Sequence, residues 1–198
     1  DPVVMEQLCG VLAANAVATG PAAVRHMMSD WILPSIETLP IFAAVAVLYN
    51  IAVEAVGKSS PVGTKNVIQS LLSTVFKCAL GPILVDSLRD GDERQGGSSG
   101  NSEHRVAALA MRSIEVWCKT NSIGAVELRG IFSSTNENVS VVNLVNDKCQ
   151  FCPCSLIIDS SFRLFSIQVN ILEAIADALY SNSEATIDAV SDLIETLL

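Results

Sequence analysis

Two amphipathic segments separated by a short helix breaker recur four times along this 198-residue chain. Within each segment, apolar residues return every three to four positions, the spacing of a helix that buries one face. A single pair of such helices cannot bury its apolar stripes, so neighbouring pairs must stack on one another. The pattern predicts an all-α fold, an α-solenoid of about four antiparallel helix pairs. The pairs cover residues 2–33, 37–88, 103–132 and 164–198.

Proline and glycine set the expected helix ends in the first half of the chain. The dipeptide Gly20-Pro21 ends the first helix and starts the second. The third helix is expected to start at Thr38-Leu39-Pro40 and to run through Val56, with Gly57 closing it. Further along, Gly81-Pro82 should kink or break the fourth helix, because proline removes a backbone hydrogen bond and clashes with the preceding turn.

The second half of the chain contains two segments without a clear helical period. Residues 90–102 are polar and rich in Gly and Ser, which predicts a flexible loop. Residues 133–163 are irregular and predict a long ordered loop with at most one short helix. The spacing of Ser181 and Glu184 is that of a capping box and predicts the start of the last helix. We interpret residues 1–198 as one array.

The hydropathy of the chain is high for a soluble protein, so a membrane protein has to be considered. Half of the residues are hydrophobic, but only 5% are aromatic, and the mean hydropathy is +0.44. The best candidate span, residues 39–56, is shorter than the ~20 residues that a bilayer requires and contains Asn50 and Glu54. We therefore expect it to be a buried solenoid helix, and the chain to have no membrane partner. The apolar end at Leu198 and the lack of an initiator Met indicate a segment of a longer solenoid.

The net charge of −9 limits the classes of partner. A chain of this charge repels nucleic-acid phosphates, so we expect no direct nucleic-acid binding, and it attracts basic proteins. No Lys or Arg follows Arg163, whereas six acidic residues do. This acidic stretch is either a solvated helix face or a surface for basic peptides and domains.

The six cysteines include one local cluster, Cys149, Cys152 and Cys154. Two thiolates in a C-x-x-C could bind one zinc ion, but a fourth ligand is missing nearby. A redox pair would need a βαβ context that is absent. We favour structural thiols and expect no metal and no cofactor. Nor does the sequence contain a nucleophile motif, a phosphate-binding glycine loop or a paired acid and base, which predicts a protein that is not an enzyme.

Trp31 and Trp117 each lie near the end of an apolar stripe. We expect both indole rings to pack in the core between neighbouring helix pairs, rather than to bind a partner.

The serial order of the helices resembles the N-terminal half of importin-β-type nuclear transport receptors, which are built of HEAT repeats. The most similar branch is that of transportin-SR and importin-thirteen. Residues 5–18 (MEQLCGVLAANAVA) are similar to a helix of the form LC-x-ALA-x-LA, and residues 38–42 (TLPIF) to that branch's SLP helix. Residues 112–117 (RSIEVW) are similar to its V-x-KC-x-SW helix, and residues 172–198 to the helix pair that follows.

The resemblance implies a receptor that shuttles between nucleus and cytoplasm and binds protein cargo and the GTPase Ran in its GTP form. Other repeats of the parent chain would complete the array. In such receptors the second helix of each pair lines the concave, partner-binding side. The residues that the resemblance thereby implicates are Arg25, His26, Asp30, Lys65, Asn66, Gln69, Glu127, Arg129, Asp188, Asp192 and Glu195. A non-transport HEAT or armadillo-type interaction scaffold is the alternative.

Overall fold

The computed structural model describes residues 2–36, 38–57, 61–93, 98–133, 174–176, 178–181 and 183–198. Within these ranges every regular element is a helix, which confirms the predicted all-α class. The helices are α1 (Pro2–Thr19), α2 (Pro21–His26), α3 (Ile41–Val56), α4 (Thr64–Val75), α5 (Gly81–Glu93), α6 (Ser98–Asn121), α7 (Ala125–Ser133) and α8 (Glu184–Leu197). Two π-helical segments, Met27–Ile32 and Phe76–Leu80, extend α2 and join α4 to α5, and a 3₁₀ turn spans Ala178–Tyr180.

The predicted breakers lie at helix ends in the first half of the chain. Gly20 is the N-cap of α2, which begins at Pro21. Pro40 precedes α3, and Gly57 follows its last residue. The N-cap of α4 is Gly63, whose φ of 93° lies in the left-handed region that glycine adopts without the steric cost a side chain would add. The turns at Gly20-Pro21, Pro40 and Gly57 were therefore predicted correctly.

Of the kink or break predicted at Gly81-Pro82, the break does not occur. The chain remains helical there, and the Gly81 N–H bonds to the Phe76 carbonyl five residues earlier. The same i to i−5 bond joins the Leu33 N–H to the Met28 carbonyl directly before Pro34, at 3.0 Å. A π turn widens the helix, and this provides room where a proline ring would otherwise collide with the preceding turn. Both π segments therefore have the same local cause.

Two further boundaries differ from the predictions. Residues 90–93 and 98–102, which were predicted to be part of a flexible loop, are helical, since α5 runs to Glu93 and α6 starts at Ser98, and residues 94–97 lie outside the described residues. The last helix starts at Glu184 with Ser183 as its N-cap, and the Ser181 hydroxyl oxygen accepts the Ser183 N–H at 3.2 Å. Ser181 thus forms a turn before the helix instead of a capping box. The irregular segment 133–163 and most of the helix predicted from residue 164 onward lie outside the described residues.

Four helices pack side by side in chain order. α1 contacts α3, α3 contacts α6, and α6 contacts α8, and these are among the most extensive helix contacts of the described residues. We call this set the primary row. A second set of contacts connects α2, α4 and α7. α2 touches α4, and α7 touches the π segment that follows α4. We call these three helices the secondary row. α4 also touches α3 and α6, and α5 lies along α6.

Within the primary row, α3 and α6 run in the same direction. Near the start of both helices, the Arg105 guanidinium lies 6.0 Å from the centre of the Phe42 ring. Further along both, the Trp117 indole N–H donates to the Leu48 carbonyl at 3.0 Å. Contacts that advance together along two helices require a parallel arrangement.

α6 and α8 are parallel by the same criterion. Close to the start of α8, the Thr186 hydroxyl donates to the His104 carbonyl of α6 at 3.5 Å. Close to its end, the Thr196 hydroxyl lies 3.4 Å from the Glu115 carboxylate. Three consecutive members of the primary row therefore share one direction, although other helices intervene in the sequence.

The core is aliphatic and continuous from α1 to α8. Eight residues of α3 are buried, six of them alanine or valine, so neighbouring helices approach closely. Trp117 is the largest fully buried side chain, and its position confirms that this tryptophan packs in the core. Its hydrogen bond to α3 satisfies the one polar group of the ring.

One helical stretch of the described residues, Thr64–Leu88, is long and apolar enough to cross a membrane by length and composition alone. Half of its apolar window is buried inside the structure, and the core helix of a soluble protein meets the same criterion. The sequence candidate at residues 39–56 corresponds to α3, a shorter apolar helix that lies in the core.

Candidate functional site

All eleven residues that the resemblance implicates in partner binding are exposed, but they do not form one surface. Three groups lie on helices of the secondary row: residues 25–30 on α2 and its π segment, residues 65–69 on α4, and residues 127–129 on α7. The fourth group, on α8, belongs to the primary row, because α8 packs along α6. Asp188, Asp192 and Glu195 therefore lie on a different row of helices from the other eight residues, and the partner-binding role of all eleven stays a prediction.

The sharpest charged feature lies where α8 meets α6. A shallow groove of about 280 Å³ is lined by Glu115, Lys119, Asp192, Glu195 and Thr196. α6 supplies the first two residues and α8 the other three. We call this the acidic groove. It combines two residues that the sequence analysis selected with two charged residues that it did not.

The floor of the acidic groove is formed by a hydrogen-bonded pair one helical turn apart. The Lys119 ammonium donates to the Glu115 carboxylate. The Glu115 side chain is only 12% exposed, whereas that of Lys119 is 57% exposed. The Thr196 hydroxyl, which donates to the Asp192 carbonyl at 2.9 Å, lies beside the same carboxylate. Glu115 is thus held in place from both helices.

The groove has an excess of negative charge. Three carboxylates surround one ammonium, so the balance at neutral pH is −2. The hydrogen bond to Glu115, and then the charges of Glu115, Asp192 and Glu195, raise the pKa of Lys119. Because Asp192 and Glu195 each favour a positive charge at this position, they would also favour a cation supplied by a partner.

A second exposed cluster lies on the π segment after α2. His26 Nδ1 is 2.5 Å from the Asp30 carboxylate, and the His26 ring meets the Trp31 ring edge-on with their centres 6.0 Å apart. Trp31 is 63% exposed, so the prediction that it packs in the core was wrong. The residues that are buried here are Val24, Met28 and Ile32, four positions apart, because the π turn changes which side chains share a face.

The described thiols do not form a reactive site. Burial raises the pKa of Cys9, Cys78 and Cys118, the last to about 12, so each is protonated at neutral pH and a poor nucleophile. The part of the chain that the structure describes contains no group of three His, Cys, Asp or Glu side chains placed to hold a metal ion. Cys149, Cys152 and Cys154 lie outside the described residues, so the interpretation of that cluster stays a prediction.

Sequence reasoning missed Glu115 and Lys119, although a signal was present. A Glu four residues before a Lys on one helix face is a favourable pair, and it marks an exposed strip of α6. What the spacing could not indicate is that α8, about 70 residues further on, would cover the same strip.

Comparisons with protein-family models, with curated proteins and with solved structures find no match to this chain. Function is therefore inferred from the geometry of the helices and the charges of their surfaces.

Proposed function

We propose that this chain is a HEAT-type helical-repeat scaffold that binds other proteins, not an enzyme. The observation that carries the proposal is the shared direction of α3, α6 and α8. In an up-and-down bundle, helices that follow one another along the chain pack antiparallel. Parallel neighbours with intervening helices on another layer are what stacked helix pairs produce.

The partner that fits the acidic groove is a basic segment of another protein. Asp192 and Glu195 are exposed on α8, and Asp188 lies one turn before Asp192 on the same helix. A Lys or Arg side chain placed there would interact with carboxylates that already favour a cation at Lys119. Because the groove is shallow, it suits a side chain of a larger partner better than an enclosed small molecule.

Within this class we propose a segment of a nuclear transport receptor of the importin-β type, shuttling between nucleus and cytoplasm. The support is the serial resemblance of four stretches of the chain to that family, together with an acidic surface for basic cargo. Cargo would occupy the acidic groove, and Ran-GTP would contact the secondary row through residues such as Arg25, Lys65 and Arg129. The second candidate is a HEAT or armadillo-type scaffold outside transport, which the same helix packing favours.

Binding of the 198-residue chain to Ran loaded with GTP, and separately with GDP, distinguishes the two. A transport receptor segment is expected to bind the GTP form selectively, and Lys65→Glu combined with Arg129→Glu should weaken that binding. The matched control is Lys119→Glu, which changes charge on the primary row and should leave Ran binding unchanged. Absence of binding to both forms would favour the general scaffold.

A further inference from the structure

The contact between α6 and α8 has an apolar part and a charged part. Val190 and Leu193 of α8 are fully buried in the core. Towards the C-terminal ends of both helices, the carboxylates of Glu115, Asp192 and Glu195 converge on the acidic groove. Like charges on facing helices repel each other, so this part of the contact needs a cation to hold the two helices together.

Glu115 is the carboxylate that depends most on such a cation. Its side chain is only 12% exposed, whereas Asp192 and Glu195 are in contact with water. The nearby Thr196 hydroxyl gives its one proton to the Asp192 carbonyl at 2.9 Å and lies farther from Glu115, at 3.4 Å. Among the residues that line the groove, the main hydrogen-bond donor to Glu115 is therefore the Lys119 ammonium.

Lys119 is also the accessible part of this contact. Its side chain is 57% exposed, so its charge can be changed from solvent while the apolar part of α8 stays packed. The hydrogen bond to Glu115, and then the charges of the carboxylates on both helices, raise the pKa of Lys119. One exposed ammonium is thus attracted by both α6 and α8.

We propose that the Lys119 ammonium is a charge-controlled latch between α6 and α8, so that loss of this one charge makes α8 open more often. Without the charge, Glu115 is a nearly buried carboxylate beside two others and has lost its cation, which destabilises the docked helix. Opening of α8 returns Glu115 to water and removes that cost. The apolar contacts remain, so α8 is docked most of the time in either state.

The contacts of α8 allow it to open by itself. Among the described elements, its most extensive contacts are with α6 and with the 3₁₀ turn that precedes it. A helix held mainly by one neighbour can open locally while the rest of the fold stays intact, and the exchange of its amide hydrogens reports how often this happens.

Hydrogen exchange of the full chain, resolved for the amides of α8 and of α3, tests the latch. Lys119→Gln removes the charge as acetylation of a lysine does. The α8 amides should then exchange about tenfold faster, and the α3 amides should keep their rates. Lys119→Arg keeps the charge and should leave both sets of rates close to those of the unmodified chain. Residue 119 lies on α6, so the sequence of α8, and with it the intrinsic exchange rates of its amides, is the same in every variant.

A double variant separates the latch from an effect on α6 alone. Lys119 lies in the last turn of α6, where a cation also interacts favourably with the helix dipole. When Lys119→Gln is combined with Glu115→Gln, no nearly buried carboxylate remains, and the α8 rates should return close to those of the unmodified chain. If the dipole were the cause, the double variant would exchange as fast as Lys119→Gln. The matched control for net charge is Lys65→Gln on α4, which should leave the α8 amides unchanged.

The proposal is overturned if Lys119→Gln leaves the exchange of the α8 amides unchanged, or if it accelerates the α3 amides equally. It is also overturned if Lys119→Arg or Lys65→Gln accelerates the α8 amides as much as Lys119→Gln does. Failure of Glu115→Gln to restore slow exchange in the double variant would overturn it as well.

Discussion

The two ends of the primary row, α1 and α8, have opposite surfaces. α1 contains one acidic residue in eighteen, and large apolar side chains cover its outer face. α8 contains four acidic residues in fourteen and no basic residue, and its exposed face is charged. Both helices bury a stripe against an inner neighbour, α3 for one and α6 for the other. The two end helices therefore pack in the same way and differ in the chemistry of their exposed faces.

The difference lies in the chemistry of the two outer faces. The charged face of α8 suits contact with water or with groups of opposite charge. An apolar outer face is suited to contact with another helix, where each buried CH₂ group contributes ~0.8 kcal/mol. The outer faces of the two helices therefore suit contacts of different chemistry.

The largest effect is expected from a substitution in the contact between α3 and α6, the two helices on which α1 and α8 pack. Trp117→Ala should lower the free energy of unfolding by about 3–5 kcal/mol, because it leaves a cavity between α3 and α6. It also leaves the Leu48 carbonyl without its indole donor. Urea denaturation followed by circular dichroism measures this, and the transition of both end helices should shift together.

The second tryptophan provides the matched control. Trp31→Ala removes the same side chain from an exposed position and should change the free energy of unfolding by less than about 0.5 kcal/mol. If the two variants lost equal stability, the buried and exposed environments assigned to the two rings would be incorrect.

The contrast between these two rings also shows how far the sequence could predict the fold. α3 was predictable, because Pro40 and Gly57 mark its ends and an apolar run lies between them. The exposure of Trp31 was not predictable, because an ordinary helical period places this residue on the buried stripe. The π turn before Pro34 rotates the ring out of the core. A proline within a periodic segment indicates strain, but the sequence does not show whether the helix breaks or widens.

A medium effect is expected from reversing the charge of the acidic groove. Asp192→Lys combined with Glu195→Lys should weaken the binding of an octalysine peptide about tenfold at low salt, since each exposed charge pair contributes up to ~1 kcal/mol. The difference should shrink as the salt concentration rises and screens these charges. Fluorescence anisotropy of a labelled peptide, measured at two salt concentrations, follows both quantities.

A variant with the same change in net charge separates the groove from the charge of the whole chain. Asp30→Lys combined with Glu127→Lys alters two exposed residues of the secondary row. Its affinity for octalysine should stay within about threefold of the unmodified chain, because only long-range attraction is lost. Equal losses for both double variants would argue against a specific groove.

The groove illustrates why a site is harder to predict than a helix. The acidic face of α8 was evident from the sequence, because no Lys or Arg follows Arg163. The packing of α8 against α6 was not evident, because the contact between the two helices joins residues 81 positions apart, such as Glu115 and Thr196. A helix pattern shows which face is buried but not which helix covers it. The row to which α8 belongs could not be predicted for this reason.

The smallest effect concerns a buried thiol near the acidic end and a similar thiol at the apolar end. Burial, and secondarily the charge of Glu115, raises the pKa of Cys118 to about 12. Burial and the charge of Glu6 also raise the pKa of Cys9, whose thiol lies 3.6 Å from the Ala43 carbonyl. In the unfolded chain either thiol ionises near the ordinary cysteine pKa of 9.0. The neutral thiol therefore stabilises the fold below pH 9.0, and this contribution is lost as the pH rises from there towards the raised pKa.

The Cys118→Ala variant removes the alkaline loss that Cys118 causes. At pH 7 it should be about 1 kcal/mol less stable than the unmodified chain, because a small cavity replaces the sulfur. Above about pH 9 the unmodified chain loses up to about 1.4 kcal/mol more per pH unit than the variant, so their order of stability should reverse near about pH 10. Urea denaturation between about pH 7 and about pH 11 follows the reversal.

The Cys9→Ala variant makes the same test on α1, where burial and the charge of Glu6, instead of Glu115, raise the pKa of the thiol. Parallel stability curves for the unmodified chain and Cys118→Ala would mean that this thiol ionises as readily in the fold as outside it, and the tight packing of α6 beside the acidic groove would have to be revised.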